Sequence, residues 1–412
     1  MTATQILGFL GILLIIGFIG DYLFKKISFP DILVLLALGY VVGHVLNIVD
    51  PAWVAPASPI IANLSLVIIL FNGGLGLEFS QARASTPRAI ALALLGIGAS
   101  MISAAAFVYY FLDWELMNSL LLGAIVGGTS PAIVMPLVGR AKVPTEISSL
   151  LHIESALNGA LVIVIALVIL EVMTVGATQN IAPVITKAIG MRFLLGVGIG
   201  VAAGSAWLWV LAFIEGEIYD DILTLAVLFL LYLAVESLKG SGAIFALVFG
   251  LILGNGLDFA RFLRTKRTIE IHNTMMKFHS QISFIVKTFF FAYLGLMITF
   301  DEPSVIVPSI ILSLALLVVR CIVVPIISIG NRSLLANKGI LATMLPRGLS
   351  AAVVAEIAAS SGIANARLYP EMVIVVIATT VITSAVGIPL FARKSAQKNS
   401  ETREKDGTSN SP

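Results

Sequence analysis

The sequence predicts an all-α polytopic membrane protein of about thirteen transmembrane helices, arranged as an inverted repeat with two broken crossing helices. Three observations predict it. Apolar residues make up 58% of the 412 positions and the mean hydropathy is +1.04. Charged residues are 12%, about half of the roughly 25% of a soluble domain. Two apolar segments at corresponding places are interrupted mid-span by Pro and Gly.

A helix needs about 20 mostly apolar residues to cross the bilayer core. Segments of that kind fall at 4–24, 30–48, 58–77, 87–111, 115–138, 146–173, 189–214, 220–238, 241–257, 280–300, 303–330, 336–362 and 370–392. The first is read as a span and not as a cleaved signal peptide, because it lacks a basic leader and Lys25-Lys26 follow it. The short pair at 220–238 and 241–257 is divided at Lys239-Gly240. With the N-terminus outside, eighteen of the 25 Lys and Arg residues lie in inward loops or the C-terminal tail. Lys187, Arg192, Lys239 and Arg367 lie outside, and Lys287, Arg320 and Arg347 lie within spans. That asymmetry is a strong positive-inside signal.

Two stretches fall outside the spans. Residues 258–279 are basic and amphipathic and are expected along the cytoplasmic surface. Residues 394–412 are polar, of mixed charge and without apolar period, and are expected to form a disordered cytoplasmic tail after a transmembrane domain of residues 1–393. A net charge of +2 excludes the basic footprint of a nucleic-acid binder. The single Cys321 excludes an intrachain disulfide and a Cys-based metal site. Neither HExxH nor GxSxG is present, so an intramembrane enzyme is the least supported class. No metal and no cofactor are expected.

A charge at the bilayer centre costs about 2.5–3.5 kcal/mol on insertion scales, so ionisable residues within spans are functional candidates. These are Glu154, Glu236, Lys287, Arg320, Arg347 and Glu356, with Glu171 and His44 nearer span ends. Glu154 and Asn158 are i,i+4 and share a helix face, with Ser155 and Gly159 on the adjacent one. Arg320 needs a buried anion. Glu154 is the only carboxylate of the first trio that is both mid-span and near its break, and a Glu154–Arg320 pair is expected. Glu236 reads as a capped or snorkelling carboxylate, with Lys287 as a candidate partner. Glu356 is expected to reach the outer interface, and His272 and His279 are expected to be solvated.

The fifth span contains Gly127-Gly128-Thr129-Ser130-Pro131 and the twelfth Leu345-Pro346-Arg347-Gly348. Both should break the helix. Spans four to six and eleven to thirteen each have the broken helix in the middle and insert with opposite topology. This is the pattern of an inverted-repeat secondary transporter. Half-helix ends near the midplane need charge, which Arg347 can supply.

At these residues the chain resembles the cation/proton antiporter superfamily, and most closely its sodium/proton exchanger branch. The resemblance rests on Phe71-Asn72-Gly73-Gly74-Leu75, Thr129-Ser130-Pro131-Ala132, Glu154-Ser155-Ala156-Leu157-Asn158, Gly240-Ser241-Gly242-Ala243, Phe289-Phe290-Phe291 with Gly295, Arg320, and Pro346-Arg347-Gly348. It extends to about residue 393. It implies an antiporter fold, a homodimer in the cell membrane with a cytoplasmic C-terminus, a mobile core of 87–173 and 303–392, and a dimerisation scaffold of the remaining spans. It also implies exchange of Na⁺, K⁺ or Li⁺ for protons. Thr129, Ser130, Glu154, Ser155 and Asn158 would bind the ion, and Arg320 and Arg347 would pair charge. Two positions depart from the family pattern. Gly159 follows Asn158 where the branch normally has an Asp, and Ser130 follows Thr129 where many relatives have an Asp. Three ways of handling protons stay open. Glu154 can alternate, His152 can couple protons, or the chain can be an antiporter-fold carrier or sensor without cation coupling, for an anion or a neutral solute.

Overall fold

The computed structural model describes residues 3–27, 31–76, 86–141, 143–175, 182–214, 219–256, 273–298 and 305–408. Each expected segment holds helix among these residues. In chain order they are α1 (Ala3–Ile27), α2 (Asp31–Tyr40), α3 (Ser58–Leu75), α4 (Thr86–Phe111), α5 (Leu116–Ile125), α6 (Pro131–Arg140), α7 (Thr145–Val175) and α8 (Ala182–Leu211). There follow α9 (Asp220–Ser237), α10 (Gly242–Gly254), α11 (Asn273–Met297), α12 (Ile306–Ser328), α13 (Lys338–Thr343), α14 (Leu349–Ser360) and α15 (Leu368–Thr408). Among the described residues seven helices are long and apolar enough to cross a membrane, and α5 and α14, each half of a broken crossing, are among the shorter apolar ones.

The outward faces are apolar, as lipid requires. Ile12, Phe18, Ile102, Leu194, Leu230, Leu314 and Ile382 are all exposed. Lipid tails give no hydrophobic drive to helix pairing, so close packing must hold the helices together, and small residues permit it. On α3 and α10 this is literal. A Cβ at Gly74 would fall on the Leu247 carbonyl oxygen, and one at Gly250 on the Phe71 carbonyl oxygen. These two helices make one of the most extensive contacts in the molecule, and α3 also lies against α14 and α11. Within the first trio α4 packs on α5 and α7; within the second α12 packs on α13 and α15; and α4 against α12 joins the trios.

The division between the ninth and tenth helices falls where the sequence places it, with Lys239 in the left-handed region (φ 60°). Three expectations need correction. The tail from residue 394 continues α15 as far as Thr408. The run KSAQKNSETREKD contains no Pro or Gly and several good helix formers, so it extends a helix already nucleated upstream. The tenth span begins earlier than residue 280, because α11 starts at Asn273. His279 therefore lies inside that helix and is buried, not solvated, with its ring edge-on to Phe71 at 5.0 Å. The rest of the expected surface stretch, 258–272 including His272, lies outside the described residues.

Candidate functional site

Two interruptions meet in the interior. After α5, residues 126–130 leave the helix, and Pro131, which has no N–H, starts α6. Gly128 lets this turn approach α7, since a Cβ there would lie 3.0 Å from the Asn158 carbonyl oxygen. Between α13 and α14, residues 344–348 are non-helical. Hydroxyls of α15 hold that stretch. The Leu345 N–H donates to Ser384 Oγ (3.3 Å) and the Arg347 N–H to Thr380 Oγ1 (3.1 Å). The Ser130 N–H donates to the Pro346 carbonyl at 2.9 Å, so the main chains of the two breaks are joined. Gly348 makes the approach possible, because a Cβ there would sit 2.7 Å from Ser130 Cβ.

Beside this crossing stand Glu154 on α7 and Arg320 on α12, 1% and 7% exposed. Arg320 Nη1 and Nη2 donate to the two Glu154 carboxylate oxygens at 2.6 and 2.7 Å. The planar guanidinium fork suits this bidentate arrangement. Its remaining Nε donates to the Leu341 carbonyl (2.9 Å), near the C-terminal end of α13. Asn158, one turn beyond Glu154, donates from Nδ2 to Thr129 Oγ1 (2.9 Å) and Glu154 Oε1 (3.0 Å). Its Oδ1 is buried without a partner. The α7 face thus binds the first break and the second trio at once. A buried pair of this kind is costly to desolvate. It persists where geometry and further hydrogen bonds compensate, and loss of one partner then costs more than the pair contributed.

Of the other residues singled out, Ser130 is at the crossing through its main chain, and its side chain makes no cap to α6. Ser155 is fully buried and donates to its own helix at the His152 carbonyl (3.1 Å). His152 is partly buried on α7; residues two apart point about 200° apart around a helix, so its ring faces away from Glu154. Arg347 is 2% exposed and within electrostatic reach of both Arg320 and Glu154. Its Nε is buried without a hydrogen-bond partner. The carbonyl near the α13 end is met by Arg320, not by Arg347. A Cβ at Gly159 would touch Pro131 alone, at 3.4 and 3.7 Å. Among the described residues no group of three or more His, Cys, Asp or Glu side chains could hold a metal.

The remaining charged residues find partners the sequence did not indicate. Lys287 pairs with Asp31 (2.5 Å) on α2, not with Glu236. Glu236 accepts the Gly242 N–H at the start of α10 (2.7 Å) and a hydrogen bond from Arg192 (3.4 Å), which also pairs with Glu171. Glu356 is buried and accepts from the Tyr293 hydroxyl (3.2 Å), so it does not reach the outer interface.

Two interrupted helices that join at their breaks, with opposed half-helix ends and a buried carboxylate, define a secondary carrier of the inverted-repeat class. The chain matches the sodium/hydrogen exchanger transmembrane family over residues 11–393 and belongs to that family. It is similar to a probable Na(+)/H(+) antiporter 2 of Methanocaldococcus jannaschii, 28% identical over 309 residues, covering 73% of this chain and 71% of the relative. It is also similar to the K(+)/H(+) antiporter NhaP2 of Shewanella baltica, 23% identical over 386 residues. That alignment covers 90% of this chain and 63% of the relative, so the chain spans less than two thirds of it. In fold it resembles the sodium proton antiporter MjNhaP1 from Methanocaldococcus jannaschii at pH 8, with a TM-score of 0.78 at 22% identity, covering 96% of this chain and 99% of that one. The family is one of multi-pass membrane transporters, not of enzymes.

Proposed function

We propose that this protein is a secondary-active antiporter that exchanges a monovalent cation, Na⁺, K⁺ or Li⁺, for protons by alternating access. The observation that carries the reading is the joined pair of helix breaks beside Glu154, in a chain of the exchanger family. Thr129 Oγ1 and the unpartnered Asn158 Oδ1 offer neutral oxygens to a dehydrated cation, with Ser130 and Ser155 at the margin. Glu154 is the alternating group. Deprotonated, it holds Arg320 or the cation; protonated, it releases both. The orientation of His152 on α7 leaves that role to Glu154. Residues 87–173 and 303–392 move as a core against the remaining spans, which also form a homodimer contact. The protein acts in the cell membrane with its C-terminus in the cytoplasm, and it catalyses no covalent chemistry.

The test is purified protein in proteoliposomes with an internal pH dye. Addition of Na⁺, K⁺ or Li⁺ should move protons in the opposite direction. No cation-dependent proton movement at any pH the protein tolerates would defeat the reading. A second reading, a carrier of this fold without cation coupling, draws on one observation. Both Glu154 oxygens are already engaged by Arg320, and the Nε of a second buried arginine, Arg347, has no partner. Family membership favours the first.

A further inference from the structure

We propose that Arg192 is a latch between the moving core and the scaffold. It holds Glu171 of the core in the present conformation, and it keeps Glu236 of the scaffold as its partner when the core moves away. This rests on the division into core and scaffold given under the proposed function.

The bonding around Arg192 is divided between the two bodies. From α8, its Nη1 donates to Glu171 Oε1 on α7 and its Nη2 to Glu236 Oε2 near the end of α9 (3.4 Å). Its Nε has no partner, so these carboxylates hold the guanidinium through its tips. Arg192 and Glu236 share one frame. The Ser241 N–H donates to the Arg192 carbonyl (3.1 Å), and the Gly242 N–H donates to Glu236 Oε1 (2.7 Å). Both residues are thereby anchored at the start of α10, whereas Glu171 belongs to the core.

The seam itself is thinly packed. α8 lies extensively along α10, and a Cβ at Gly196 would come within 2.7 Å of the Ser241 carbonyl oxygen. α7 meets α10 at few places. The cleft between them is lined by Val164, Leu167 and Val168 of α7 and, opposite, by Phe193 and Ile244. Apolar walls with a gap between them can slide, so fastening at this point falls to charge. The Arg192, Glu171 and Glu236 side chains are all partly exposed, and ion pairs in contact with solvent are weak enough to break and re-form. The Glu154–Arg320 pair, by contrast, is buried and lies within the core.

A second polar contact crosses the same boundary, from the Tyr293 hydroxyl on α11 to Glu356 on α14 (3.2 Å). Glu171 and Glu356 each stand about one turn before the C-terminal end of their helix. The order of crossings runs α7 and α14 in the same direction, and the loop charges assign that end to the outside. Both contacts therefore fasten the core at its outer end, and opening outward is the movement that must release them.

The experiment measures the distance between nitroxide labels at Thr174→Cys and Leu238→Cys, two exposed positions on either side of the seam, by double electron–electron resonance in lipid nanodiscs. Cys321 is exposed and is replaced by Ser, and labelled protein is diluted with unlabelled protein so that pairs within one chain are read. Glu171→Gln should raise the ratio of the longer to the shorter distance by about 1.5- to fivefold, the range for a partly exposed ion pair. Glu236→Gln should lower that ratio by a similar factor, because Arg192 is then left to Glu171 alone. The Gln amide oxygen can still accept the Gly242 N–H, so the start of α10 is kept. A merely structural role would loosen the seam in both variants. No shift in Glu171→Gln, or a shift of both variants in the same direction, overturns the latch. Cation-driven proton flux of the wild type is measured separately. Flux without the opposed shifts overturns the latch and leaves the antiporter reading intact, and opposed shifts without flux support the latch and defeat that reading.

Discussion

The main chains at Ser130 and Pro346 are hydrogen-bonded to each other at 2.9 Å, although 216 positions separate them in sequence. Each belongs to an interrupted crossing. Unpaired backbone groups are expensive in hydrocarbon, and here each break satisfies part of the other's need. The bond ties the two trios together at the place where the helix ends converge.

Gly348 is the residue this contact can least replace. Gly348→Val brings branched carbon into Ser130, and overpacking of this kind typically costs about 1–3 kcal/mol. Thermal unfolding in detergent should show a lower transition temperature than the wild type, with helix content by circular dichroism retained. An unchanged transition would mean that the breaks do not approach as described.

Arg320→Leu leaves the Glu154 carboxylate buried without its partner, and removing one member of a buried pair costs about 3–5 kcal/mol. The double variant Glu154→Leu/Arg320→Leu should be more stable than Arg320→Leu alone, because no stranded charge remains. A double-mutant cycle on unfolding temperature tests this. Additive losses would show that the two side chains are independent.

Lys287 and Asp31 form a second interior pair, with side chains 17% and 4% exposed. Lys287→Met should destabilise the α2–α11 packing by stranding Asp31, and Asp31→Asn in the same chain should recover most of the loss. Recovery is read as an unfolding temperature nearer the wild type. No recovery would place the effect in packing alone.

Asn158 links three parts of the site. Asn158→Ala removes a hydrogen bond to a carboxylate and an oxygen offered to the cation. Hydrogen bonds to charged groups are worth about 1.5–3 kcal/mol, so the apparent cation affinity in the flux assay should fall roughly tenfold to a hundredfold. Unchanged affinity would remove Asn158 from the binding site.

Much of this architecture is visible in the sequence, for physical reasons that also explain the misses. Hydropathy marks the spans because lipid admits few other patterns, and Pro with Gly marks the breaks at 127–131 and 345–348 because neither sustains a helix. Glu154 and Arg320 can be matched because few other charges lie that deep. The partner of Lys287 escapes because Asp31 starts its helix and reads as an interfacial residue. Thr380 and Ser384 escape because a hydroxyl in an apolar helix ordinarily satisfies itself on the carbonyl four residues earlier. Both do so here, and each accepts a second bond from the neighbouring break. Their i,i+4 spacing on one face of α15 was the available signal. The burial of His279 escapes because the basic run before it reads as a surface segment.

The central claim is that the carboxylate at 154, set beside two joined helix breaks, is the group that alternates between proton and cation. The most direct measurement is cation-driven proton flux in proteoliposomes for the wild type and Glu154→Gln side by side, at equal protein incorporation. The account predicts flux in the wild type and its loss in the variant. Equal flux in both would contradict it.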